Sequence, residues 1–250
     1  MTINQHNREI KKNLHYWENK PVLRQIYKVF YKLIAEHLAN IHGGHVVELG
    51  SGIGNVKHVI PHCIRTDLFL NECIDQIENA YKLSFPDNSV SDLILFDVFH
   101  HLQYPGTALE ELHRVLLPKG RVIIFEPCLS SILGFIVFGL LHHEPLGMKE
   151  SIQWFAPEEW YHGTVDYYAA QANTSRIFFN KKFKKYFSQW DVKIKKQFSA
   201  ISYVLSGGYS KPQLYPTAAL PVMRVLDKIC DPIPVLFATR LLIVLEKGYE

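Results

Sequence analysis

The pattern of apolar and polar positions divides the chain into short alternating units. From Val22 to Ile41, residues Val22, Ile26, Val29, Phe30, Leu33, Ile34 and Leu38 recur at spacings of three and four, which places them on one helix face. Pro21 suits a first helical position, and Gly43-Gly44 suits the stop. His45 to Leu49 is a short apolar run that ends in glycines, as a buried strand does. Asn55 to Pro61 reads as a short helix, Cys63 to Leu68 as a second strand, and Asn71 to Glu78 as a short helix or loop. Asp92 to Val98 is a strongly apolar strand, Thr107 to Leu116 a helix, and Arg121 to Glu126 another strand. Strands alternating with helices predict a parallel sheet covered on both faces, with few topologies left once crossovers are right-handed.

The order changes after Pro127. Leu129 to Leu141 reads as a hydrophobic helix. The stretch 150–176 is rich in aromatics, among them Trp154, Phe155, Trp160, Tyr161, Tyr167 and Tyr168. Phe178 to Trp190 is expected to be helical and Lys193 to Tyr203 strand-like. Gly207-Gly208, Pro212, Pro216 and Pro221 mark a long loop. Val222 to Ile229 closes as a helix and Arg240 to Glu246 as a last strand. No internal repeat is visible.

Composition narrows the class. A chain of 250 residues, 48% hydrophobic and 20% charged, buries a normal core. The net charge of +3 is weak. Lys181, Lys182, Lys184 and Lys185, then Lys193, Lys195 and Lys196, read as the solvated face of an amphipathic helix and strand, so no nucleic-acid partner is expected. Cys63, Cys73, Cys128 and Cys230 form no C-x-x-C, and scattered cysteines of this kind fit a reducing cytoplasm. Met1 to Lys12 lacks the apolar core of a signal peptide. The run Ile132 to Leu141 falls short of the roughly 20 apolar residues that span a bilayer.

The chemistry centres on Glu48-Leu49-Gly50-Ser51-Gly52-Ile53-Gly54, set between a strand and a helix. Glycines allow a tight turn and a close ligand approach, and a helix start favours an anionic group. A dinucleotide fingerprint, G-x-G-x-x-G, would require a third glycine where Asn55 stands. Asp67, at the end of the second strand, suits the two hydroxyls of a ribose.

These residues resemble the class I S-adenosylmethionine-dependent methyltransferases, in particular their small-molecule branch, over roughly Val46 to Pro127. Val46 to Gly54 is similar to the first motif of that family, and Asp67 to its ribose-binding acid. The segment Asn79 to Asn88, Asp92 to Leu102 with its Phe96-Asp-Val-Phe-His-His101 edge, and Leu112 to Gly120 before the strand ending in Glu126-Pro127 come in the family's order. The resemblance implies S-adenosylmethionine as cofactor. It also implies a Rossmann-like, doubly wound α/β fold with a seven-stranded, mostly parallel sheet, an antiparallel last strand and a helical cap. By position, the backbone of Gly50, Ser51, Gly52 and Gly54 would face the methionyl part and Glu48 its amino group. Asp67 would hold the ribose and Leu68 the adenine face. Asn79 and Ala80 would meet the adenine edge, with Asp97 and Val98 beside the methionyl tail. The family often has Asp where this chain has Asn79.

Methyl transfer from a sulfonium needs alignment more than acid–base help, and a base only for an acceptor with a high pKa. His100 and His101, at the carboxyl end of the fourth strand, are the candidate catalytic residues, one of them as base; alternatively the pair is structural, with one ring packed under the cofactor. His142-His143-Glu144 either lines the acceptor pocket or ends a helix, and Glu126 faces the same edge. His58 and His62, four apart, lack a third ligand, and no metal is expected. The expected division is an N-terminal helical lid over 1–44, a cofactor-binding core over 45–127, an acceptor-binding cap with a late strand over 128–221, and a final helix and strand over 222–250. The aromatic cap fits a small-molecule or lipid-linked acceptor, methylated at oxygen before nitrogen or carbon, or else is ordinary packing. Weak contact of the 132–141 helix with a membrane surface would make the protein peripheral. The rival functions are a nicotinamide-dependent oxidoreductase and a non-catalytic S-adenosylmethionine-binding scaffold.

Overall fold

The computed structural model describes residues 3–140, 144–164 and 168–248. His142, His143, Asp166 and Tyr167 lie outside them. Seven strands form one sheet: β1 (His45–Leu49), β2 (Ile64–Asp67), β3 (Gln76–Ile77), β4 (Val90–Phe96), β5 (Leu116–Pro127), β6 (Trp190–Ser199) and β7 (Ala238–Lys247). Their order is β3-β2-β1-β4-β5-β7-β6. The pairings among β1 to β5 are parallel, and β7 runs antiparallel to both β5 and β6. The sheet class and the antiparallel last strand are therefore as the sequence predicts. Because β1 pairs with β2 on one side and β4 on the other, the chain reverses its winding there. The crevice beyond the carboxyl ends of β1 and β4 is where such sheets bind ligands.

The helices are α1 (Ile3–Asn19), α2 (Pro21–Ala35), α3 (Pro105–Val115), a single turn α4 (Ile132–Gly134), α5 (Asn173–Phe179), α6 (Ile201–Leu205), α7 (Leu220–Cys230) and the short α8 (Pro234–Phe237). α2 is entered through Pro21 and buries Val22, Leu23, Ile26, Tyr27, Phe30, Tyr31 and Ile34. These pack with Ile94, Phe96, Ile123, Phe125, Leu242 and Val244 from one sheet face. Leu93, Leu95, Val122 and Ile124 point the other way, against Leu109 and Leu112 of α3. Alternate residues of β4 thus feed two cores, and every residue of that strand is buried. A fully buried Leu, Ile or Phe in such a layer contributes on the order of 1.5–3 kcal/mol.

Several elements depart from the periodicity. The polar N-terminus is α1, whose polar face hid a helix, and α2 stops at Ala35 rather than at the glycines. Segment 71–78 supplies the two-residue strand β3 instead of a helix. The helix expected over 129–141 is α4 continued by a π-helical stretch, Phe135–Leu140. The helix expected over 178–190 is α5 plus a 3-10 stretch, Lys181–Phe187, and the strand after it starts at Trp190 and yields to α6 at Ile201.

Candidate active site

The turn after β1 is left-handed at three glycines, with φ of +67° at Gly50, +53° at Gly52 and +71° at Gly54. A Cβ on Gly50 would lie 2.5 Å from Val98 Cγ2, and one on Gly54 2.6 Å from the Cys73 carbonyl, so both positions require glycine. A Cβ on Gly52 would meet nothing within 4 Å, because that stretch of turn borders open space. After Gly54 the chain forms a single 3-10 turn, Asn55–His58, in place of the helix expected over 55–61. Pro61 and the start of β2 at Ile64 leave no room for more. The macrodipole expected to favour an anion is therefore small. Asn55, where a dinucleotide fold needs glycine, is 5% exposed and donates to the Tyr209 hydroxyl at 2.7 Å.

A cavity of about 410 Å³ opens beside this turn. It gathers Gly50, Ser51, Gly52, Asp67, Leu68, Asn79, Ala80, Asp97 and Val98, nearly the whole set read from the sequence. Gly54 and Glu48 do not line it. Gly54 shapes the turn from behind. Glu48 is 1% exposed and accepts from the hydroxyl of Tyr31, which does line the cavity, at 2.7 Å. Its Oε2 has no partner, and burial pushes this carboxyl up to about 7.

Asp67 sits at the mouth. Its carboxylate accepts from the Gly52 N–H at 3.1 Å and from its own neighbour Leu68 at 2.7 Å. His6 of α1 reaches it at 3.4 Å and packs on Phe69, and the hydrogen bond to Asp67 raises the His6 pKa. Together with Glu9, Ile10 and Asn13, His6 sets α1 along the cavity, while α2 lends it Tyr27 and Tyr31 and otherwise packs in the core. The Asn79 amide is engaged. Its nitrogen donates to the His162 carbonyl at 2.9 Å and its oxygen accepts from the Tyr81 N–H at 3.0 Å, so it ties the strand edge to the cap.

A second cavity of about 720 Å³ adjoins the first and shares Glu9, Asn13, Tyr27, Asp97, His101 and Tyr209 with it. Asp97, at φ +55°, pairs with Arg240; burial pushes the Asp97 carboxyl up against the pull of that guanidinium. Arg240 is 1% exposed and ringed by Phe30, Phe96, Phe125, Phe138 and Tyr203, with its Cζ 4.6 Å from the Tyr203 centroid. Sequence reasoning missed Arg240; its signal was a charge just ahead of the apolar run Leu241 to Leu245.

The two candidate catalytic histidines differ. His100 is 2% exposed and its Nδ1 lies 2.5 Å from Glu126 Oε2. Burial opposes charge on His100, but Glu126 overrides it and pushes the ring to about 10. His101 is pushed down to about 4 by burial and by the charge on His100, and it borders both cavities. Glu144 and Gln171 come in from the cap to the same wall. His58 stacks on Trp17 instead of joining a ligand set.

Residues 48–124 match a family described as a methyltransferase domain. That match spans the glycine turn, Asp67 and the strand edge bearing Asp97 and His100, the residues that line the first cavity or stand beside it. An uncharacterised methyltransferase of Schizosaccharomyces pombe is 42% identical over 62 residues, and the match covers 25% of this chain and 22% of that relative. The chain thus aligns with about a fifth of that relative's length. In fold, the chain is similar to a chain of the complex between the Trm112 methyltransferase activator and a methyltransferase of Haloferax volcanii. That similarity has a TM-score of 0.55 at 12% identity and covers 100% of this chain and 99% of the other. It is also similar to an S-adenosylmethionine-dependent methyltransferase from Thermotoga maritima, with a TM-score of 0.54 at 13% identity, covering 96% of this chain and 99% of the other.

Proposed function

We propose that this chain transfers a methyl group from S-adenosylmethionine to a small-molecule or lipid-linked acceptor, at oxygen before nitrogen or carbon. The observation that carries the reading is the pair of adjoining cavities, one around the glycine turn and Asp67, the other beside it and larger. Transfer between two bound molecules needs such a shared wall, with the donor methyl facing the acceptor. The residues suit the cofactor. Asp67 offers a carboxylate to a ribose, open space fronts Gly52, and the Glu48 carboxyl stands behind the wall with one oxygen unpartnered, where it would act on the methionyl ammonium through water or the Tyr31 hydroxyl. The cofactor would supply an activated methyl group. The chain would supply alignment and a site covered by α1.

The nicotinamide rival is disfavoured by the single 3-10 turn after the glycines, which lacks the helix N-terminus that holds a pyrophosphate, and by Asn55. A scaffold that only binds the cofactor would have little use for the second cavity. Peripheral contact with a membrane from the cytoplasmic side fits the exposed Ile132, Ile136 and Leu140, spaced by four, and the exposed Val222, Val225 and Ile229 of α7. Among the described residues no helix is long and apolar enough to cross a membrane.

Calorimetric titration of wild type and Asp67→Ala with S-adenosylmethionine, S-adenosylhomocysteine and NAD tests the reading. Binding of the first two, weakened at least tenfold in the variant, is expected. NAD binding alone, or none, overturns it. Acceptor-dependent formation of S-adenosylhomocysteine then separates an enzyme from a scaffold.

A further inference from the structure

One wall of the second cavity carries a donor set that the methyl-transfer reading does not use. His100 and His101 lie in the 3-10 turn Phe99–His101 just after β4, and Glu144 approaches from the cap. His100 Nε2 is 3.4 Å from Glu144 Oε2, and His101 Nε2 is 3.9 Å from Glu144 Oε1. One donor atom from each of the three lies within 4.8 Å of the others. Donors about 2.0–2.1 Å from a tetrahedral metal stand roughly 3.4 Å apart, so this triangle needs little contraction.

The far sides of both rings are fixed in the manner of metal ligands. His100 Nδ1 lies 2.5 Å from Glu126 Oε2, and Glu126 is itself held by the Phe99 N–H at 2.7 Å and by Thr174 Oγ1 at 3.4 Å. His101 Nδ1 lies 2.8 Å from the Tyr168 carbonyl. A carboxylate on one ring and a carbonyl on the other set Nδ1 as the protonated nitrogen and turn Nε2 toward Glu144. A separate observation points to the same spot. Gln171 is 2% exposed, its Nε2 lies 3.4 Å from His100 Nε2 and bonds Glu144, and its Oε1 is buried with no partner. An unmet buried amide oxygen is costly, and rotating the amide brings it to the cluster as a further oxygen donor.

We propose that His100, His101 and Glu144 bind a divalent metal ion of the zinc or iron(II) class on the wall of the acceptor cavity. Two imidazoles and one carboxylate suit these borderline ions rather than magnesium or calcium. The cavity side leaves a position for a ligand from the acceptor. Its role there rests on the methyl-transfer reading. A metal-held acceptor hydroxyl releases its proton to solvent near neutral pH. The oxygen lone pair then forms the bond to the methyl carbon, the carbon–sulfur bond breaks, and its electron pair stays on sulfur as S-adenosylhomocysteine. Without a metal, the same atoms form a plain ion pair of protonated His100 with Glu126 and Glu144.

Chelator-treated full-length protein, titrated with zinc(II) by calorimetry and with cobalt(II) by visible ligand-field absorption, separates the two. One equivalent is expected to bind. Glu144→Gln is expected to weaken binding at least 100-fold and Glu126→Gln by 10–100-fold. Cys73→Ser, a control at the cysteine that is not buried, should change nothing. S-adenosylhomocysteine binding, measured on each variant, reports that the fold survives. No zinc binding by wild type, or affinity unchanged in Glu144→Gln, overturns the metal site. Zinc binding without cofactor binding would instead sink the methyl-transfer reading and leave the site standing.

Discussion

Glu48 offers a quantitative test of how the cofactor edge is built. It is 1% exposed, has one hydrogen bond from Tyr31 and leaves Oε2 without a partner. Burial raises its pKa from an ordinary 4.5 to about 7. The folded state therefore holds a proton that the unfolded chain has lost across that interval. Stability from this group is fully present below 4.5 and is lost as pH rises through about 7. At about 1.36 kcal/mol per pKa unit the whole loss is about 3 kcal/mol, of which about 2.5 falls between pH 5 and 8. Glu48→Gln keeps an acceptor for Tyr31 and removes the titration. Unfolding of wild type and variant should show the variant gaining about 2.5 kcal/mol on wild type from pH 5 to pH 8, roughly 5–10 °C in Tm for a chain of this size. Saturating S-adenosylmethionine should narrow the gap, because an ammonium near the carboxylate favours its charged form. A difference that stays flat with pH would refute the reasoning, since the carboxylate would then not be ionising in a buried place.

Other perturbations probe the turn, the buried pair, the cover and the outer face. Gly50→Ala places a Cβ 2.5 Å from Val98 at φ +67° and should cost about 2–4 kcal/mol in chemical unfolding, with partial recovery in Gly50→Ala/Val98→Ala; no recovery would contradict the clash. Arg240→Met strands Asp97 and should destabilise by about 3 kcal/mol, offset when Asp97→Asn is added; additive losses would deny the pairing. His6→Ala should speed S-adenosylhomocysteine release in stopped-flow while barely moving Tm, and an unchanged rate would mean that α1 is not a cover. Ile136→Ser with Ile229→Ser should reduce sedimentation with lipid vesicles and leave cofactor binding intact; equal sedimentation would remove the membrane contact.

The cofactor edge was legible because its parts are local. Glu48 to Gly54 and Asp67 are strand ends joined by short connections, and a period of two or a glycine spacing places them without tertiary knowledge. The sheet came from the alternation of runs, and its antiparallel last strand from the family resemblance. The elements that escaped are those that depend on distant partners. The lid expected over 1–44 could not be narrowed to particular residues, because the apolar positions of α1 are few and one cavity contact is a histidine, His6, whose meaning comes only from Asp67. The length of the helix after Gly54 was misjudged because Asn55 to Ile60 is compatible with helix in isolation, while the demand that β2 begin at Ile64 is tertiary. β3 was missed because two residues carry no periodicity. In the acceptor wall, Gln171 and Arg240 stand 71 and 143 residues from the groups they meet, His100 and Asp97, so no window of sequence joins them.

Those long-range partners share a logic. Four carboxylates stand at or just beyond the carboxyl ends of neighbouring strands: Glu48 on β1, Asp67 on β2, Asp97 after β4 and Glu126 on β5. Left alone in such a place, each would carry a desolvation cost of several kcal/mol. Each meets a donor from a different part of the chain: Tyr31 from α2, His6 from α1, Arg240 from β7 and His100 from the turn after β4. Two of those donors belong to elements outside the 48–124 segment that precede β1, and one to the last strand. The stretch 45–127 thus carries the acids, but the terminal elements supply three of the four groups that make their burial tolerable. A fragment ending at residue 127 would keep every residue of the glycine turn and lose Arg240, leaving Asp97 without its cation at the junction of the two cavities. The shape of the sheet and the completeness of the site are on this view one requirement, met only when the first and last elements of the chain close on the same edge.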